Sequence, residues 1–173
     1  MRTFVVCIIL ALCIAAIGCK GLAYRTSTDN MLPTISQNDM AVTAPGYYNS
    51  NPIERFDIVV FQAPEFAKKI ANESGDVRFI KRIIGLPNER IEIKDNKIFI
   101  NDKLLDEPFD KIVDDKDEMK NFPAMVIPKN EYFLLGDNRP QSMDSRYWKP
   151  PTIRKEDIYS KIVEIRKDFY KDK

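Results

Sequence analysis

The chain has 173 residues, enough for one domain with a buried core. Its 27 Lys and Arg against 26 Asp and Glu leave no basic field for a nucleic-acid partner. With no histidine, Ser-His-Asp triads, Cys-His dyads and histidine-bound zinc are excluded. A hydrolase built on this chain therefore moves its proton with lysine, a carboxylate or a metal held by oxygen.

After Met1-Arg2-Thr3, residues 4–19 carry no charge, and Gly21, Leu22 and Ala23 extend the apolar run beyond Lys20. Such a run with a charged start reads as an uncleaved single-pass anchor over residues 1–23, or as a removable signal sequence. Ala16-Ile17-Gly18-Cys19 also resembles a lipoprotein cleavage site, which would place a lipid on Cys19. The anchor and lipoprotein readings both leave residues 24–173 tethered to membrane lipid. Cys7, Cys13 and Cys19 all lie in this stretch, so the globular part has neither a disulfide nor a thiolate nucleophile.

From residue 24 onward the pattern is β. Asp57-Ile58-Val59-Val60-Phe61 is a short β-branched run, and Phe79-Ile80-Lys81-Arg82-Ile83-Ile84 is another, closed by the turn residues Gly85-Leu86-Pro87-Asn88. Residues 91–94 and 97–100 flank Asp95-Asn96 as a hairpin, because Asx residues tolerate the positive φ of its turn. Residues 132–135 and 157–166 complete the expected strands. A short helix is expected over 65–71, and residues 102–122, acidic and lysine-rich, are expected to form an exposed loop. The fold class is all-β, on a stalk.

Three segments go further: Asn30-Met31-Leu32-Pro33-Thr34-Ile35, then residues 79–87, then Gly136-Asp137-Asn138-Arg139-Pro140-Gln141-Ser142-Met143-Asp144-Ser145-Arg146-Tyr147-Trp148. Together with Arg55 and residues 57–61, they resemble the successive boxes of the type I signal peptidases, in that family's order. The resemblance implies an antiparallel β architecture with a small barrel-like core and a reduced insertion between the second and third segments. It implies a serine endopeptidase that uses lysine as its base and needs no cofactor or metal. Such enzymes remove signal peptides from exported preproteins at the outer face of the bacterial inner membrane, and their extended substrate pairs with exposed strand edges.

By this resemblance Lys81 is the general base, Ser142 hydrogen-bonds and orients it, and Asp144 with Arg146 forms a supporting ion pair. Strand alternation puts Lys81 on one face with Phe79 and Ile83, as a desolvated base requires. The same pattern also suits an edge-strand lysine that reaches solvent. Likewise Ser142, Asp144 and Arg146 on their own read as a polar turn with an ordinary surface pair. The family's nucleophilic serine precedes the Met-x-Pro-Thr that here is Met31-Leu32-Pro33-Thr34, and this chain has Asn30 in its place. A carboxamide has no proton to surrender and no strongly nucleophilic oxygen. Thr28, where family members carry an oxyanion-hole hydroxyl, is the nearest substitute nucleophile. If the segment is extended, Thr28 and Asn30 face the same side, roughly 6–7 Å apart.

Other departures are Phe56 for a usual Gly, Asn88 for Gly, Pro140 for an acidic residue and Lys149 for Gly. Two further classes fit parts of the pattern. One is an inactive homologue that binds signal peptides or precursor proteins as an assembly factor, favoured by Asn30. The other is a self-cleaving Ser/Lys repressor domain, opposed by the apolar N-terminus and the lack of a helix-turn-helix segment.

Overall fold

The computed structural model describes residues 21–171 apart from residue 115. The apolar run 4–19, and with it the anchor, lipoprotein and secretion readings, lies outside the described residues. Among those described, no helix is long and apolar enough to cross a membrane.

The strands are β1 (Ala23–Tyr24), β2 (Met40–Pro45), β3 (Ile58–Gln62), β4 (Arg78–Gly85), β5 (Arg90–Lys94), β6 (Lys97–Ile100), β7 (Lys103–Leu104), β8 (Phe122–Val126), β9 (Glu131–Leu135), β10 (Ile153–Arg154) and β11 (Ile158–Arg166). Short helices α1 (Tyr47–Ser50) and α2 (Glu65–Ala71) lie between them. Seven strands form an antiparallel, half-barrel sheet in the order β1-β2-β11-β3-β4-β9-β10, and four form a second sheet, β7-β6-β5-β8. The all-β antiparallel expectation is the architecture observed.

β4 lies between β3 and β9, which explains its nearly unbroken burial from Ile80 to Gly85. The β5–β6 hairpin turns at Asp95 (φ 46°) and Asn96 (φ 61°), the positive angles a two-residue turn demands. Its Ile91, Ile93, Ile98 and Ile100 point inward and pack with Ile84, Phe133 and Leu135, joining the two sheets. α2 ends where Asn72 turns left-handed. Asn88 (φ 67°) carries the turn after Leu86-Pro87, as its tolerance of that conformation suggested. Phe56 is also left-handed (φ 73°), a conformation that favours glycine, and its ring packs edge-on against Phe109, 5.5 Å away.

Three expectations need correction. Gly21 to Ala23 do not prolong the apolar segment: Leu22 accepts a hydrogen bond from the Thr43 N–H (2.9 Å), and Ala23 pairs with Val42. The segment around Asn30 is not extended; residues 27–34 form bends and turns. The acidic loop 102–122 is not simply exposed. It contributes β7, and its Asp117 and Glu107 are buried carboxylates paired with arginines. Buried charge is tolerated only when paired, and these pairs fasten the loop to the third segment.

Candidate active site

The fifteen residues between β1 and β2 form a loop that carries Thr28 and Asn30. Leu32 N–H bonds to the Asp29 carbonyl (3.2 Å) and Ile35 N–H to the Met31 carbonyl (2.8 Å), so the chain coils instead of extending. Met31 and Ile35 plug the loop into the core beside Tyr24, Val60 and Ile80. The coil brings the side chains of Thr28 and Asn30 together: the Asn30 amide donates directly to Thr28 Oγ1. The spacing inferred from an extended strand is therefore too large.

Lys81 lies in the middle of β4, opposite Val59 of β3. It is 1% exposed, its ammonium is 5.6 Å from the Phe79 ring, and among the described residues its hydrogen bond goes to the Ile80 carbonyl at 3.3 Å. Burial lowers its pKa to about 8, against the opposing pull of the Asp144 and Asp137 carboxylates. With this pKa about a tenth of the amine is neutral at pH 7, and the fraction grows toward pH 8.

The third segment leaves β9 at Gly136 and folds back beneath the loop. Asp137 takes the Arg82 guanidinium in a fork (2.8 and 2.6 Å) and also accepts the Thr34 hydroxyl. Asn138 donates its backbone N–H to the Asn30 carbonyl (3.1 Å) and its side-chain amide to the Asp29 carbonyl (3.0 Å). Asp144 and Arg146 meet at 2.8 Å, both buried, and Arg146 reaches on to Asp117 at 2.9 Å. A Cβ on Gly136 would lie 2.2 Å from Ser142 Oγ and 2.4 Å from the Asn30 carbonyl oxygen. Only glycine lets Ser142 and the Asn30 backbone approach so closely.

The structure thus brings Asn30, Thr28 and Ser142 to one place, with the Asp144/Arg146 pair close enough to act on the Lys81 charge. One expected contact is not formed. Among the described residues, buried Ser142 Oγ has no hydrogen-bond partner and is held by close packing over Gly136, while Lys81 turns to its own strand's carbonyl. Asp137, Asn138 and Arg82 were in the quoted motifs but without roles. They are the groups that dock the loop, and the adjacency of Arg82 to Lys81 on a strand was the available signal. Nothing in the sequence marks Asp117, 29 residues from Arg146, as its partner.

Residues 1–165 match the family model described as signal peptidase, peptidase S26. The chain belongs to that family, among the type I signal peptidases. Signal peptidase I of Leptolyngbya laminosa is 36% identical over 121 residues, covering 70% of this chain and 57% of the relative. Signal peptidase I S of Bacillus subtilis strain 168 is 33% identical over 136 residues, covering 71% of this chain and 65% of that protein. The matches therefore span less than two thirds of these relatives' length. A crystal structure of a signal peptidase I from Enterococcus faecalis V583 superposes with a TM-score of 0.52 at 28% identity, over 65% of this chain and 98% of that one.

Proposed function

We propose that this chain binds the signal peptides of exported preproteins in a Ser/Lys peptidase site whose attacking hydroxyl has been replaced, so that cleavage is strongly weakened. The observation that carries this reading is Asn30, which stands at the nucleophile position on a loop docked by Asn138. The rest of the apparatus is supported residue by residue. Lys81 is the base, and its depressed pKa suits proton abstraction. Ser142 orients it: among the described residues, a buried hydroxyl lacking a partner and a buried amine with one long hydrogen bond are complementary deficits in neighbouring segments. Asp144 and Arg146 fix the segment that carries Ser142.

The test is cleavage of a preprotein by the purified chain in detergent, beside Asn30→Ser. Loss of a covalent nucleophile costs about 10⁴–10⁶ in rate, so Asn30→Ser is expected to raise turnover by at least about 10³-fold. Equal turnover by both proteins would refute the reading. A second reading rests on the contact between Thr28 and Asn30. Thr28 Oγ1 accepts the Asn30 amide and keeps its own proton to give, so Thr28 is the nucleophile and Asn30 steadies it. This version requires that the native chain cleave and that Thr28→Ala abolish it.

A further inference from the structure

The loop carrying Thr28 and Asn30 is gripped from a second side. Just past β11, and beyond residue 165 where the family match ends, the Lys167 ammonium donates to the Thr34 carbonyl (2.6 Å), to Asp39 Oδ2 (3.0 Å) and to the Pro33 carbonyl (3.5 Å). Asp39 is buried and has further work: it accepts the Ser36 N–H (2.8 Å) and the Asp168 N–H (2.9 Å). Next, the Tyr170 N–H bonds to the Asn38 carbonyl (2.8 Å), and the Arg25 guanidinium lies over the Tyr170 ring at 4.8 Å. Residues 167–170 therefore hold the loop at its entry, at its turn and at its exit.

We propose that Lys167 is a positioning residue for the site, latching the Asn30 loop against the third segment from outside while Asp137 and Asn138 hold it from within. An isolated exposed Lys–Asp pair contributes little. Here one ammonium gathers a carboxylate and two backbone carbonyls of the turn that also gives Thr34 Oγ1 to Asp137, so its loss frees backbone as well as charge. The role in turnover rests on the proposed function, whereas the latch itself does not.

Hydrogen–deuterium exchange on the full chain in detergent separates the two. In Lys167→Met, the amides of Leu32, Ile35 and Asp39 are expected to exchange about tenfold faster, with the β5–β6 hairpin unchanged and Lys167→Arg restoring protection. In the Asn30→Ser background, Lys167→Met is expected to lower kcat about tenfold with KM unchanged, since misplacement of a reacting group acts on the chemical step. Uniform faster exchange throughout the molecule, or no change in the loop, overturns the latch. Loosened loop amides with full kcat overturn the positioning role. If Asn30→Ser does not cleave at all, the functional reading fails while the exchange result still decides the latch.

Discussion

Lys81 carries an ammonium into the centre of a sheet where desolvation dominates its energetics. Its pKa of about 8 lies below the roughly 10.4 of a lysine in an unfolded chain. Between those two values the unfolded chain binds more protons than the native one, so native stability rises with pH across that window. Below the lower value both states hold the proton, and the burial penalty, on the order of 3 kcal/mol, is borne in full. Lys81→Met keeps the length and removes the charge. It is expected to stabilise the fold at pH 7 by about 1–3 kcal/mol and to flatten the rise between pH 8 and 10. Urea melts at several pH values check this. A variant less stable than the native chain at pH 7 would show that attraction to Asp144 and Asp137 outweighs desolvation. The energetic cost of keeping this lysine is what a site, and not a core, would maintain.

At the scale of elements, the third segment is held by carboxylates that the loop 102–122 supplies from a distance. Arg146 answers both Asp144 and Asp117, and Arg139 pairs with Glu107. Removing one partner of a buried pair leaves charge uncompensated and costs about 3–5 kcal/mol. Asp144 still faces Arg146 when Asp117 is changed, so Asp117→Asn is expected to cost about 2–3 kcal/mol in urea unfolding. A loss under about 0.5 kcal/mol, typical of a surface site, would return the loop to the exposed status its composition suggested. This is also where sequence reading reached its limit. β3, β4, β9, β11 and the β5–β6 hairpin were legible because periodicity and Asx turn chemistry are local. β8 was not, since Pro123 and Ala124 weaken its pattern, and it survives as an edge strand beside β5. Lys81, Asp144 and Arg146 were legible as a constellation by family order. The docking of the Asn30 coil was hidden because part of it comes from Asn138, more than 100 residues away.

For the whole molecule, the sheet ties both ends of the described residues to the site. β11 sits between β2 and β3, its exit residues clasp the loop, and the loop itself begins directly after β1. Leu22 is already hydrogen-bonded into the sheet, and in sequence the apolar residues 4–19 end three positions before it. As a helix those sixteen residues would span about 24 Å, short of the roughly 30 Å of a bilayer core but close enough to be met by local thinning. Asn30 follows Lys20 by ten residues, so a tether here would keep the site at the membrane face. The full chain is accordingly expected to sediment with membranes and to need detergent for release, resisting salt and carbonate. A chain beginning at residue 21 retains Leu22 and β1, and it is expected to stay in the aqueous fraction with an unchanged urea midpoint. Palmitate labelling that vanishes in Cys19→Ser would assign the tether to a lipid, and its absence from membrane-bound native chain would assign it to the apolar helix. Recovery of the intact chain from the aqueous periplasmic fraction would contradict both tethers.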